Sequence, residues 1–528
     1  MKRASWPERF GANLGFGALL GVLFLTFLDN TVASAVLTNV QSQLHAGVTE
    51  LQWVVGSYAL TFASLMLLSG SLADSFGRKK VMLVGVGIFC VGSVVAAIAN
   101  STNQLIVGRV IMGVGAAASE PGTLSMIRHL FPNDRHRARA LGAWAAVSGL
   151  ALAMGPVLGG ILVGLWSWRA VFWFNLIFGL AALLVAALTL PESVNATRRR
   201  VDAGGFVVGA LALGLATFAT IFGESAGYRS ASVVTLYVIS GLLALLFSFI
   251  ERHTLEPMLN PSFFGQRAFS GATFIAFTSY FSIFSIFFFV ALYLEVVGSV
   301  SAFGLAVDFL PLLAGMVTAS IFSGRWVGRV GSRTPLALGC LLAAVGVTLT
   351  NAAISPAVNL NELGWTMGLA GIGFGIIIVP INATALASLP PDYSGVAAST
   401  INTSRELGAV TGVAILGSIV NGQLTVQLTQ RLIHIGIPPL YRNQIIAAVT
   451  NGAVNSQAKA FANQSSPAIQ LIINKVVNAA YGAFGHGLDI ALNLASLLLV
   501  ISAVVAWTTG TREPELNLAN SQELLSSP

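Results

Sequence analysis

Charged residues are scarce in this chain of 528 residues, since only 9% of them are Asp, Glu, Lys or Arg. Hydrophobic residues make up 55% of the chain, and the mean hydropathy is +0.80. A water-soluble domain of this length does not have such a composition. The scarcity of charge therefore excludes a soluble protein and predicts a protein embedded in a membrane.

Cysteine and histidine are also rare, and the sequence motifs of metal sites and of ATP hydrolysis are missing. The two cysteines, Cys90 and Cys340, lie inside apolar stretches, so we predict neither a disulfide framework nor a thiolate metal site. The six histidines are scattered without metal-ligand spacing. No GxxxxGK sequence followed by Ser or Thr is present, so nothing predicts ATP-driven pumping. We expect no enzyme activity, no metal and no cofactor.

The net charge of +7 could indicate a nucleic-acid partner, but the positions of the basic residues argue against it. Most of the 27 Lys and Arg residues lie in alternate connections between apolar stretches, where they anchor a membrane protein. The short connections on the other side contain only Arg169 and Arg229. The positive-inside rule therefore predicts that both termini are cytoplasmic.

Apolar stretches long enough to cross a hydrocarbon core, about 20 residues each, occur fourteen times in the sequence. They lie near residues 14–36, 51–71, 81–99, 104–127, 140–163, 170–190, 203–222, 232–250, 269–294, 303–323, 335–354, 363–388, 396–420 and 485–508. A polar segment rich in Asn, Gln and Ser separates the last two. The pattern predicts an all-α, multi-pass membrane protein.

A glycine-rich basic loop occurs twice in the chain. GSLADSFGRKK at Gly70–Lys80 returns in altered form as GRWVGRVGSR at Gly324–Arg333, displaced by 254 residues. Because six spans occupy only about 190 residues here, two more spans must lie between the repeated halves. A chance match between the two loops is the alternative.

We therefore predict two six-helix bundles related by pseudo-two-fold symmetry, with two further helices inserted between them. The first bundle covers residues 1–200, the inserted helices and a linker 201–268, and the second bundle 269–512. The second bundle includes a long outer loop at about 421–484, and residues 513–528 form a cytoplasmic tail.

Several motifs together resemble the major facilitator superfamily, and in particular its fourteen-span drug:proton antiporter branch. GSLADSFGRKK is similar to the cytoplasmic signature loop of that family. LDNTV at Leu28–Val32, GPVLGG at Gly155–Gly160 and WSWRAVFWFN at Trp166–Asn175 resemble motifs of the branch. Two departures are Ala151 in place of a Gly and Met112 in place of a Gln. The resemblance implies alternating access driven by a proton gradient.

The first loop combines turn-forming glycines, a carboxylate and cations that must stay at the membrane surface. The residues that we expect to matter are Gly70, Asp74, Gly77, Arg78 and Lys79. Asp74 could pair with Arg78 or accept hydrogen bonds from a helix N-terminus of the opposite half. The resemblance implies a latch that holds one access state. A plain topogenic turn would need no carboxylate.

The fifth apolar stretch carries small residues and a proline at membrane depth. The residues of this motif are Gly142, Gly155, Pro156, Gly159 and Gly160. Glycines allow close approach of helix backbones, and proline permits a bend. This pattern favours a sliding contact between the two bundles, and ordinary tight packing is the alternative.

Charged residues inside the spans are the best indicators of function, because an unpaired charge in hydrocarbon is costly. Asp29 and Arg109 lie at similar depth, so a salt bridge between their helices is expected, either for proton coupling, as the resemblance implies, or for packing alone. Glu120 lies eleven positions after Arg109 on the same helix face. It is a candidate second protonatable site or cargo contact, unless its side chain extends to the cytoplasmic edge.

In the second half, Asp308, Arg405 and Glu406 are candidates for a cavity. Because adjacent helical residues point about 100° apart, Arg405 and Glu406 are not expected to pair with each other.

From these patterns we predict a monomeric, proton-coupled antiporter of the bacterial inner membrane that exports amphipathic or lipophilic, mainly cationic compounds such as drugs. Its partners are a small-molecule or lipid cargo, protons and the bilayer. A nutrient importer and an exporter of a lipid, glycolipid or other endogenous metabolite are the alternatives.

Overall fold

The chain is almost entirely helical in the computed structural model, which describes residues 6–44, 46, 48–131, 134–192, 202–254, 257, 259–296, 302–354, 360–390, 393–450 and 467–511. Within these ranges there is no β-strand. Helices suit these apolar sequences because each backbone N–H and C=O is then satisfied within its own segment, as hydrocarbon requires.

The helices follow one another through short connections. They are α1 (Trp6–Leu44), α2 (Val48–Phe76), α3 (Arg78–Ala97), α4 (Thr102–Leu130), α5 (Asp134–Leu165), α6 (Arg169–Thr189), α7 (Ala203–Ala226), α8 (Ala231–His253), α9 (Arg267–Ser285), α10 (Ala291–Val296), α11 (Ala302–Val330), α12 (Arg333–Ala353), α13 (Leu360–Ser388), α14 (Ser394–Ile435), α15 (Pro439–Thr450) and α16 (Pro467–Thr509). A π-helical turn at Ile286–Val290 joins α9 to α10, and a 3-10 segment at Pro261–Gly265 precedes α9.

Two sets of helices pack in the same way. In the first, α3 lies against α4 and α6, and α1 lies against α5. In the second, α12 lies against α13 and α16, and α9 lies against α14. The repeated loops occupy matching places, since Gly77 between α2 and α3 and Gly331 between α11 and α12 both have positive φ, 105° and 75°. The duplication inferred from the loops is thus present in the packing.

The two sets meet along two helix pairs, α2 with α14 and α5 with α11. Their closest approaches involve small residues near the repeated loops. A Cβ on Gly70 would overlap Ser399 of α14, and a Cβ on Gly142 would lie 3.3 Å from the carbonyl oxygen of Ser320 in α11. Small residues therefore set the contact between the halves.

The helices α7 and α8 pack beside this junction. The helix α7 contacts α2, α14 and α8, whereas α8 packs mainly on α7 and leaves most of its surface exposed. The division of the chain into domains near residues 200 and 268 remains a prediction.

Among the described residues, twelve helices are long and apolar enough to cross a membrane, and α5 makes thirteen if its two inclined parts form one span. In the described part of α2 the qualifying apolar helix, Trp53–Met66, is shorter than a span. The expected number of fourteen spans is therefore not established. Helices α14 and α16 also continue into the segment 421–484, which was expected to be a long outer loop.

Candidate functional site

The first buried charge cluster lies inside the first half. Asp29 of α1 forms an ion pair with Arg109 of α4, and both side chains have no exposed surface. Asn175 of α6 donates a hydrogen bond of 2.7 Å from Nδ2 to the other carboxylate oxygen of Asp29. Three helices are thus joined through one carboxylate, and the ion pair expected from the sequence is present.

The guanidinium of Arg109 is further held by α2. Its Nε donates a hydrogen bond of 3.0 Å to the carbonyl oxygen of Val54, and its Cζ lies 4.4 Å from the ring centroid of Tyr58. The Tyr58 hydroxyl in turn donates to the carbonyl oxygen of Thr26 at 3.1 Å. A cation over an aromatic face is stabilised most where water is excluded. The charges of this cluster are therefore paired, whereas Arg109 Nη2 and Asn175 Oδ1 have no hydrogen-bond partner among the described residues.

The second buried cluster surrounds Arg405 of α14, at the junction of the halves. Its Nη1 donates to Asn402 Oδ1 at 3.0 Å, and its Nη2 donates to Asn382 Oδ1 of α13 at 2.9 Å. The guanidinium carbon lies 5.2 Å from the ring centroids of both Trp144 and Tyr280. Because Trp144 belongs to α5 and Tyr280 to α9, Arg405 is enclosed by aromatic rings from opposite halves.

Glu406, the next residue of α14, contacts the first half directly. Its two carboxylate oxygens accept hydrogen bonds of 3.4 and 3.3 Å from Nδ2 of Asn30 in α1. Asn30 directly follows Asp29 in the sequence. As expected, Arg405 and Glu406 form no ion pair with each other among the interactions of the described residues. Instead, each of them contacts the opposite half.

Glu120 of α4 is buried beside this second cluster, with 1% of its surface exposed. It interacts electrostatically with both Arg405 and Glu406. Its Oε2 has no hydrogen-bond partner among the described residues. The alternative that Glu120 extends to the cytoplasmic edge is therefore wrong. Between Arg109 and Glu120, Gly113 packs tightly on Thr61 of α2, so α2 covers this part of the α4 face.

The charges of the two clusters do not balance in the same way. Asp29 and Arg109 neutralise each other, whereas the junction contains two carboxylates, Glu120 and Glu406, and one guanidinium, Arg405. An uncompensated buried carboxylate is costly and must be neutralised by a proton or by a cation. Among the described residues, the junction therefore has one carboxylate more than it has basic groups.

Sequence reasoning overlooked the polar and aromatic partners in these clusters. They are Asn30, Tyr58, Trp144, Asn175, Tyr280, Asn382 and Asn402. A signal for some of them exists, because asparagine inside an apolar span is almost as unusual as a charge. The aromatic residues carry no such signal, since they are common in ordinary membrane helices.

Asp308 of α11 does not join these clusters. It is half-buried, and its Oδ2 has no hydrogen-bond partner in the described part of the chain. No hydrogen bond or ion pair between the described residues connects it with Arg405 or Glu406. The structure thus groups two of the three candidates from the second half and separates the third.

The first repeated loop is fastened to its own half. The Lys79 ammonium donates hydrogen bonds of 2.7 Å to the carbonyl oxygens of Ala187 and Leu190, at the C-terminal end of α6. A cation at a helix C-terminus satisfies carbonyl groups that have no partner within the helix. Arg78 is buried, and the side chain of Asp74 lies outside the described residues, so the proposed latch pairing through this carboxylate remains a prediction.

The second loop is fastened in a matching way. Ser332 and Arg333 bond to Thr511, at the end of α16, through a hydroxyl contact of 3.0 Å and a backbone hydrogen bond of 3.2 Å. The Arg333 guanidinium carbon also lies 4.1 Å from the ring centroid of Trp507. Each loop therefore braces the last helix of its own half, although the residue types differ.

The small-residue motif of α5 faces two directions. Gly142 packs on α11 of the other half, but a Cβ on Gly155 would overlap Thr31 of α1 in the same half. The Thr31 hydroxyl donates a hydrogen bond of 2.8 Å to the carbonyl oxygen of Leu152. The expectation that the whole motif forms the contact between bundles is therefore wrong for Gly155. Gly159 is buried and Gly160 half-buried.

The two parts of α5, Arg139–Leu152 and Val157–Leu165, are inclined by 44°. Pro156 lies in the break between these two parts, where its missing N–H permits such a bend, as the sequence predicted. The side chain of Pro156 itself lies outside the described residues.

Two similar helical sets joined by small-residue contacts, with buried charges at the junction, define the architecture of a membrane transporter. The chain matches the Major Facilitator Superfamily model over residues 19–413 and belongs to that family. It is 33% identical to the methylenomycin A resistance protein of Bacillus subtilis, over 80% of this chain and 91% of that protein. It is 28% identical to the multidrug resistance protein Stp of Mycobacterium tuberculosis, over 92% and 89% of the two chains.

Solved structures of transporters share the fold. The human organic anion transporter MFSD10 superposes with a TM-score of 0.58 and 15% sequence identity, covering 95% of this chain and 100% of that one. This likeness concerns the architecture of the helices alone. The predicted family membership is confirmed, and the protein is a multi-pass membrane transporter.

Proposed function

We propose that this protein is a proton-coupled antiporter that exports amphipathic or lipophilic, mainly cationic compounds across the bacterial inner membrane. In this proposal both termini are cytoplasmic and the monomer is the working unit. The similarity to drug and antibiotic resistance proteins of bacteria supports export of drug-like compounds. The observation that carries the proposal is the junction with two buried carboxylates and one guanidinium.

The charge balance of the junction suggests how transport and protons are coupled. A cationic cargo neutralises the uncompensated carboxylate when the site faces the cytoplasm. After release outside, a proton takes the place of the cargo, and the neutral site allows the halves to return. The junction binds either the cargo cation or the proton at one time. Binding of both would leave an excess positive charge in a water-poor interior.

The Asp29–Arg109 pair has a supporting role in this scheme. Asp29 is adjacent to Asn30, and Asn30 binds Glu406 of the other half. Movement of Glu406 away from Asn30 therefore acts on the segment of α1 that carries Asp29. In this way, protonation at the junction can alter the packing of α1 against α4 and α6.

The test uses proteoliposomes that contain the purified protein, with tetraphenylphosphonium as cargo and an imposed pH gradient. We expect wild-type protein to move the cation against the proton flow, and Glu120→Gln and Asp29→Asn to abolish this exchange. Asp489→Asn is the matched control, because Asp489 is exposed and accepts hydrogen bonds from Asn351 and Asn493. Full pH-driven exchange in both buried variants would overturn the proposal.

A second candidate function, export of a lipid, glycolipid or other endogenous metabolite, is supported by the extended helices. The outer parts of α14 and α16 form a groove lined by Arg431, His434 and Lys475. No Asp or Glu occurs between Glu406 and Asp489, so the charged residues of this segment are all basic: Arg431, Arg442, Lys459 and Lys475. Deletion of residues 425–480 separates the two functions. Loss of lipid export with retained cation exchange would favour the lipid cargo.

A further inference from the structure

Arg405 has the surroundings that a bound organic cation would need. Its guanidinium lies between the rings of Trp144 and Tyr280, at 5.2 Å from each centroid, and it is 1% exposed. Its Nε has no hydrogen-bond partner among the described residues. Aromatic faces in a water-poor site attract cations of many shapes, including arginine and quaternary ammonium groups.

Unused polar atoms surround the same place. Glu120 Oε2 and Tyr280 Oη lack hydrogen-bond partners in the part of the chain that the structure describes, and both side chains are buried. Buried polar groups are normally satisfied, and exceptions in a native structure call for a ligand or a functional role. Glu120 therefore offers a negative charge beside an aromatic site that is already occupied by Arg405.

We propose that Arg405 is a built-in cation that fills half of a two-charge site and thereby sets the charge of the cargo at one. This inference rests on the proposed function, in that the cargo is a cation bound at the junction. A cargo cation binds the ionised form of the two carboxyl groups. In that form, with Arg405 present, Glu120 and Glu406 together leave one negative charge. Without it, the same carboxylates leave two negative charges, which match a dication.

The charge count gives a distinct prediction for each variant. Arg405→Gln raises the negative charge of the site to two and should favour dications. Arg405→Lys retains the charge and should retain the preference for monocations. Arg405→Gln combined with Glu120→Gln leaves Glu406 alone, so the net charge returns to one and the wild-type preference should return. A purely structural role for Arg405 would not predict this restoration.

The experiment measures binding to purified full-length protein in detergent at one pH. The probes are radiolabelled tetraphenylphosphonium, which has one charge, and a bis-triphenylphosphonium with a four-methylene linker, which has two. Equilibrium dialysis gives the two Kd values and their ratio for each variant. We expect Arg405→Gln to shift this ratio toward the dication by at least about tenfold, because one unit charge acts at short range in a low dielectric.

The outcomes separate this inference from the proposed function. An unchanged ratio in Arg405→Gln, or an equal shift in Arg405→Lys, would overturn the inference while cation binding by wild-type protein still supports the proposed function. Failure of wild-type protein to bind either probe would overturn both. If Arg405→Gln does not fold, Glu120→Gln and the double variant test the inference, because their sites have net charges of zero and minus one. Equal Kd values of these two variants for tetraphenylphosphonium would contradict it.

Discussion

Substitution of Asp29 by Asn tests whether the buried ion pair of the first half contributes to stability through its charges. The substitution keeps the shape of the side chain and an oxygen that can accept the hydrogen bond from Asn175. It removes the negative charge opposite Arg109, which has no exposed surface. Arg109 would keep its hydrogen bond to Val54 and the ring of Tyr58, but not its counter-charge.

The expected magnitude follows from the cost of an unpaired buried charge. Loss of one partner of a buried ion pair typically costs about 3–5 kcal/mol. The contact with the Tyr58 ring compensates part of this cost, so we expect Asp29→Asn to lower the free energy of unfolding by about 3 kcal/mol. Removal of both charges, with Asp29→Asn and Arg109→Gln together, should cost less than the single substitution. The coupling energy between the two sites should be about 2 kcal/mol or more.

The measurement is reversible unfolding of the purified protein in mixed micelles of increasing SDS content, followed by far-UV circular dichroism. Asp489→Asn is the control, since the same chemical change at an exposed carboxylate should cost less than about 1 kcal/mol. A loss below about 1 kcal/mol for Asp29→Asn would refute the reasoning. A double variant that is no more stable than the single one would refute it as well.

Two further predictions concern the contact between the halves and the first loop. Gly70→Ala should impair transport and lower the free energy of unfolding by about 1–3 kcal/mol, because the added Cβ overlaps Ser399. Gly87→Ala is its control. The added Cβ at Gly87 meets no atom within 4 Å, so this variant should be neutral in the same transport and unfolding assays. Lys79→Gln should lower the free energy of unfolding by about 1–3 kcal/mol through loss of its hydrogen bonds to the end of α6. The exposed neighbour, substituted as Lys80→Gln, is its control, and equal losses in the two lysine variants would contradict the bracing role.

Two kinds of feature could be predicted from the sequence: those that follow from composition, and those that follow from the free-energy cost of placing polar or charged groups in hydrocarbon. An apolar stretch that must cross hydrocarbon has to be helical, so the helices follow directly from hydropathy. The pairing of Asp29 with Arg109 could be predicted because few charges occur in the spans and each requires a partner. The loop repeat indicated duplicated halves because its turns need glycine at matching positions, and both Gly77 and Gly331 have positive φ.

The contacts between particular helix surfaces could not be predicted from the sequence. Membrane helices associate through small residues on several faces, so the sequence does not show which neighbour a glycine contacts. Gly142 and Gly155 lie on one helix and in one motif, yet one contacts the other half and the other contacts α1.

The sequence by itself determined that this protein is a duplicated, helical membrane protein with a few buried charges, because hydrocarbon penalises unpaired backbone groups and unpaired charges. Only the tertiary structure decided that Glu406 meets Asn30, 376 positions away, and that Arg405 lies between rings from opposite halves. These contacts join residues whose separation along the chain carries no periodic signal. Their meeting depends on how the two halves pack, and that packing places two carboxylates beside one guanidinium.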